Sequence, residues 1–217
     1  MPALSSGPFR GALPLLVLLG VIFLFINRHQ WATEVSHSAD DASYLSHAMT
    51  MGLDFDLDYA NEVAHPYATV EVNGRPVPRN FFGAGLMAAP FVAAFSVVDR
   101  IEGHPVIVDH RQYLHSWSYF GFSVAVHVYF LAAVTLLWAA ARQAGASLGP
   151  LAVTALVLSS GVAYYVITRC RMSHGFEFFA MALCVRAGVG MGAALADGRR
   201  WWGWLAAGAV GSTLAVA

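Results

Sequence analysis

Two stretches of this chain gather ionisable residues in patterns that chemistry can use. The first is Asp40-Asp41, followed by Ala42-Ser43-Tyr44-Leu45. Adjacent carboxylates suit a general base or a metal ligand. Both acids would equally favour the positive end of a helix. The second is Arg169-Cys170-Arg171-Met172-Ser173-His174-Gly175-Phe176-Glu177, which interrupts two apolar blocks. Ionisable groups between apolar segments are costly and are functional candidates by default. Two arginines suit a phosphate or pyrophosphate, and interfacial anchoring is their plainer use.

Other groups carry less. Asp54, Asp56 and Asp58 alternate like the start of a calcium loop, but Tyr59 stands at the glycine position and His65 at the bidentate glutamate position. A solvated turn is the better reading. His104, Asp109 and His110 lack a third ligand at fixed spacing, so an interfacial loop accounts for them. Arg186 lies deep in an apolar block, where it either snorkels to the surface or faces a polar cavity. Trp31, Trp117, Trp201, Trp202 and Trp204 sit at block ends and read as an interfacial belt.

The elements that must position these residues follow from composition. Of 217 residues, 58% are hydrophobic and 12% charged, about half the charge of a soluble domain. There is no lysine, and 12 arginines against 13 acids give a net charge of −1, which excludes a generally basic nucleic-acid binder. Cys170 and Cys184 form no disulfide framework or zinc motif. Apolar blocks run over Gly11–Asn27, Phe81–Val98, Tyr113–Ala141, Leu148–Thr168, Gly175–Ala196 and Trp201–Ala217. The fold class expected is an all-α polytopic membrane protein: a transmembrane helix bundle with a long outer loop. Residues 1–27 form a tail and first transmembrane helix, 28–112 the outer loop with juxtamembrane or re-entrant helices, and 113–217 further transmembrane helices. The last block ends without a polar stop, so the chain reads as the N-terminal part of a longer protein.

Residues 28–80 hold eight of the 13 acids and only Arg28, Arg75 and Arg79. Within this loop Ser38–Gly52 reads as a helix, with Ser38 as cap, Asp41 closing a capping box and Gly52 as stop. Its apolar face is Ala42, Leu45, Ala48 and Met49. Ala68–Val72 and Arg75–Val77 flank Asn73-Gly74, a type I′ hairpin signal. Gly83, Gly85 and Pro90 favour a short amphiphilic helix over a spanning one in the Phe81–Val98 block. Arg10, Arg142, Arg199 and Arg200 then lie inside, and the acidic loop and Arg169–Glu177 share the outer face.

The order of these features resembles the GT-C class of membrane glycosyltransferases, which includes the protein O-mannosyltransferases and bacterial aminoarabinose transferases. Asp40-Asp41-Ala42-Ser43-Tyr44-Leu45 is similar to that class's Asp-Glu-x-x-Tyr-Leu after a first transmembrane helix. Gly52-Leu53-Asp54-Phe55-Asp56-Leu57 resembles a Gly-Asp-x-Asp-Leu stretch, and Gly83-Ala84-Gly85-Leu86-Met87-Ala88-Ala89-Pro90-Phe91 a Gly-x-x-Leu-x-x-Ala-Pro-Phe segment. Met172-Ser173-His174 matches a Met-Ser-His segment before a later helix. Asp41 replaces the commoner Glu, and the prolines before the Gly-x-x-Leu element are displaced to Pro76 and Pro78.

The resemblance implies an inverting transferase in the bacterial inner membrane, moving a sugar from a polyprenyl-phosphate-linked donor to a protein, lipid or glycan acceptor outside. It implies Asp40 and Asp41 as catalytic acids. Tyr44, Arg79, Arg169, Arg171, His174 and Glu177 would bind substrate. The class includes enzymes with and without a divalent cation, and both stay open here. The rival is a non-enzymatic transporter or assembly subunit that uses the acidic loop as a docking surface.

Overall fold

A computed structural model describes residues 15–21, 39–59, 69–104 and 116–216. It is mostly helical, with one small sheet. Residues 15–21 belong to helix α1. Then follow α2 (Ala39–Met49), a π-helical turn (Thr50–Asp54), β1 (Thr69–Val72), β2 (Arg75–Pro78), α3 (Gly83–Glu102), α4 (Trp117–Gln143), α5 (Pro150–Leu158), α6 (Gly161–Thr168), α7 (His174–Ala196) and α8 (Trp202–Val216). By length and composition α3, α4 and α7 can each cross a membrane, and the bent pair α5–α6 makes a fourth candidate. Large apolar side chains such as Ile101, Leu151 and Met181 are exposed along these helices. Such surface suits lipid rather than water, and the chain is consistent with a membrane protein.

Side-chain contacts fix how the long helices run. Asp99 meets Trp117 and Ser118, Phe95 meets Phe120, and Phe91 meets Tyr129, so α3 lies antiparallel to the first half of α4. Phe176 packs on Phe122, Phe178 on Phe130, and Arg186 bonds Gln143, so α7 runs parallel to α4. Gly190 lies on Trp204 and Gly211 on Cys184 and Ala180, so α8 returns antiparallel to α7. The core between them centres on Phe122, Phe130, Phe176, Val92, Val126 and Val166.

Two expectations are corrected by these elements, at the 81–98 block and at Gly52. The 81–98 block is not a short helix. α3 is unbroken for 20 residues, about 30 Å, with Pro90 inside it on an exposed position. Packing along its length against α2 and α4 overrides the weak local propensity. The apolar 148–168 block is broken, with 76° between α5 and α6. Ser159 and Ser160 donate to the Leu156 and Val157 carbonyls, and Ser160 caps α6 by accepting from Ala163 N–H. The break therefore leaves few backbone groups unpaired. Gly52 does not stop the loop helix, which continues as a π turn until Phe55 adopts φ 59°. A Cβ on Gly52 would meet the Ala89 carbonyl oxygen at 2.6 Å, so glycine serves close approach to α3 there. Arg186 reaches toward the end of α4, where it donates to Gln143 at 2.6 Å, and it covers the Trp204 ring at 4.5 Å.

The loop helix otherwise matches its pattern. Ala42, Leu45, Ala48 and Met49 are buried, and so are Asp41, Ser43, Ser46 and His47. The hairpin pairs Val72 with Arg75, with Asn73 and Gly74 both at positive φ (53° and 77°). Ser38, Ala68, Trp31, Asp109 and His110 lie outside the described residues.

Asp99 was not anticipated. An acid in the last turn of a helix opposes the macrodipole, and here it serves the next helix instead. Fully buried, it accepts from Trp117 N–H (2.7 Å), Ser118 N–H (2.8 Å), Ser118 Oγ (2.6 Å) and Ser116 Oγ (3.2 Å). It thus caps α4 from 18 positions upstream of Trp117. Asp99→Asn is expected to lower stability by about 1–2 kcal/mol, because the amide keeps one acceptor and loses the charge. A melt in detergent checks this against Glu102→Gln; equal losses would show that α4 does not need the cap.

Candidate functional site

The start of α2 and the segment between α6 and α7 meet. Asp41, nearly fully buried, is 3.6 Å from Nη2 of Arg169, whose side chain is 39% exposed. The site is therefore an ion pair with one partner inside and one at the opening. Asp40 lies at the exposed rim, where its carboxylate accepts from Asn80 Nδ2 at 3.3 Å. Tyr44 is one turn further along α2 and shares that face. A small cleft of about 60 Å³ is lined by Tyr44, Phe81, Ala84, Ser173, Phe176 and Glu177.

Ser173 joins the two halves. Its hydroxyl donates to Glu177, and it hydrogen-bonds Tyr44. His174 Nδ1 is 3.1 Å from the other Glu177 oxygen, and its ring lies 4.1 Å from that of Tyr165. Burial raises the Tyr44 phenol above its ordinary value. The bond with Ser173 lowers it in part, and the charges of Glu177, Asp40 and Asp41 raise it further. Tyr44 thus stays a neutral donor facing three carboxylates.

The residues anticipated from sequence separate into distinct positions. Tyr44 and Glu177 line the cleft; Asp40, Asp41 and Glu177 lie close enough to act on Tyr44, Arg169 pairs with Asp41, and His174 pairs with Glu177. Arg171 turns away: it is buried, with its guanidinium 5.7 Å from the Tyr119 ring of α4. Arg79 is exposed beyond β2, and its neighbour Asn80 makes the contacts to α2. Asp56 closes the expected solvated turn, accepting from Thr50 Oγ1 and Asp58 N–H. His104 lies 3.7 Å from Asp99 and 3.5 Å from Glu102. Among the described residues no three His, Cys, Asp or Glu side chains gather as a metal cluster.

Asn80, Ser173 and His47 were missed. Ser173 stood inside a segment already singled out, but a lone serine carries no chemical signal. His47 is buried, with Nε2 2.8 Å from the Asn80 carbonyl and Nδ1 2.8 Å from Tyr59 Oη. The carbonyl only accepts, so Nε2 carries the proton and Nδ1 accepts from the phenol. A Cβ on Gly85 would lie 2.2 Å from His47 Cβ, so α2 and α3 touch here without a side chain between them.

Burial lowers the His47 pKa below its ordinary 6.5, against the raising effect of the Asn80 bond. The unfolded chain therefore binds the proton more readily. The stabilisation by neutral His47 is complete above pH 6.5 and is lost as pH falls toward the folded value. The melting temperature should drop more between pH 7.5 and 5 in the wild type than in His47→Gln. Equal drops would assign the acid sensitivity elsewhere.

Comparison of the chain with family models, curated proteins and solved structures finds no match.

Proposed function

We propose that this chain is a membrane glycosyltransferase of the GT-C type, acting on a polyprenyl-phosphate-linked sugar at the outer face of the bacterial inner membrane. The observation that carries the reading is the Asp41–Arg169 contact, which joins the acidic pair to the Arg-Ser-His segment at the end of a helix. A carboxylate for an acceptor hydroxyl and an arginine for a phosphate thus share one opening.

In this reading the acceptor hydroxyl attacks the anomeric carbon and gives its proton to Asp40. The bond from that carbon to the phosphate oxygen breaks with inversion. The leaving lipid phosphate carries the electron pair, and Arg169 neutralises it. Asp41 orients Arg169; Tyr44, Ser173 and Glu177 line the sugar's side of the cleft, and His174 holds Glu177. The acceptor is a protein, lipid or glycan hydroxyl.

The rival docking role requires no affinity for a lipid phosphate. The protein in nanodiscs should melt at higher temperature with polyprenyl monophosphate than with neutral polyprenol of equal length. Equal melting with both would reject the transferase and favour a docking or transport role.

A further inference from the structure

At the opposite end of α4 an apolar groove of about 270 Å³ opens where α5 bends into α6. Val134 and Trp138 of α4, Val157 of α5, Val162 of α6 and Phe178 of α7 form its walls, and Leu148 lies at its mouth. We propose that this groove holds an acyl chain of an anionic phospholipid, with the phosphate at Arg142.

Shape and charge both support that occupant. The walls are almost wholly hydrocarbon. Trp138 Nε1–H is satisfied by the Leu148 carbonyl at 3.1 Å, so the indole asks nothing polar of a guest. Ser160 at the bend turns its hydroxyl to the Val157 carbonyl at 2.6 Å. An acyl chain can therefore enter without stranding a polar group.

The mouth has the opposite character. Arg142 is exposed, with its guanidinium 5.6 Å from the Trp138 ring centre. No Asp or Glu occurs from residue 110 to residue 176, so α4, α5 and α6 offer Arg142 no carboxylate. α7 ends on this same face and is followed by Arg199 and Arg200. The acid there, Asp197, is already bonded to Arg199. A tryptophan and an arginine at the end of a spanning helix mark headgroup depth, and basic pockets between transmembrane helices bind anionic headgroups.

The groove is separate from the candidate site. Arg142 lies about 35 Å along α4 from Tyr119, the residue under Arg171. A lipid bound here would brace the α5–α6 bend, and that bend leads directly into Arg169. The inference does not rest on the transferase reading.

Native mass spectrometry of the full chain, released from micelles with equimolar phosphatidylglycerol and phosphatidylcholine of identical acyl chains, tests it. The wild type should retain the anionic lipid roughly fivefold over the zwitterionic one, the preference one arginine near an anionic headgroup supplies. Arg142→Gln should bring the two to parity with adducts still present. Val157→Trp, which fills the groove, should lose both adducts, and circular dichroism reports whether it folds. Parity in the wild type means ordinary boundary lipid and overturns the proposal. So does an unchanged preference in Arg142→Gln, or no adduct at all because another helix fills the groove. Should Val157→Trp not fold, the Arg142→Gln ratio decides alone.

Discussion

On the proposed transferase reading, Asp40→Asn is expected to reduce sugar transfer by roughly 10²–10⁴-fold, the usual worth of a positioned general base, with no loss of fold. The substitution keeps the shape of the side chain. It also keeps an oxygen for Asn80 Nδ2, the group 3.3 Å from the carboxylate. Asp40 is exposed at the rim, so neutralising it strands nothing inside. Asp41→Asn should behave differently. Its carboxylate is buried against Arg169, and losing the charge weakens the join between α2 and the 169–177 segment. Because Arg169 can rehydrate, the cost is about 1–3 kcal/mol rather than that of a fully buried pair. Asp41→Asn should therefore lower the melting temperature and turnover together, and Asp40→Asn turnover alone. Near wild-type transfer by a folded Asp40→Asn would remove Asp40 as the base, leaving Asp41 and Glu177 as the carboxylates beside Tyr44.

The fold was legible where hydropathy changes abruptly and obscure where it does not. Apolar blocks located α3, α4, α7 and α8 to within a few residues, because charge and turn residues bound them. The 148–168 block carries no charge, so its bend was invisible to a hydropathy reading. The signal was Ser159-Ser160-Gly161, whose hydroxyls can satisfy the backbone at a break. At Gly52 a local rule misled: glycine often ends helices, but this one makes room for the Ala89 carbonyl. Only the neighbouring helix reveals that role.

The candidate site was half legible for a related reason. Residue types that are costly near a membrane stand out in sequence, and so the acidic pair and the Arg169–Glu177 segment were found. Which of two arginines faces the opening depends on a turn of backbone between them. Arg171 goes inward to Tyr119 and Arg169 outward to Asp41. Asn80 and Asp99 act across the chain, toward α2 and α4, and ordinary residue types at ordinary spacing announce neither contact.

That divergence of the two arginines makes the second large effect specific. Arg169→Ala should weaken binding of the polyprenyl-phosphate donor by roughly ten- to a hundredfold, since a charge-assisted contact contributes about 1.5–3 kcal/mol. Arg169→Lys should recover only part of this, because a point charge replaces a planar fork. Arg171→Ala should cost stability through the lost packing on Tyr119 and leave donor affinity near the wild-type value. If Asp41 acts on the donor only by holding Arg169, the two are coupled. Asp41→Asn should then weaken donor binding in the wild type and have no further effect in Arg169→Ala. Donor titrations on these variants, each with its melting curve, separate the roles. Additive losses would mean that Asp41 meets the donor directly. An Arg169→Ala protein that binds donor as the wild type does would show that the phosphate is held elsewhere.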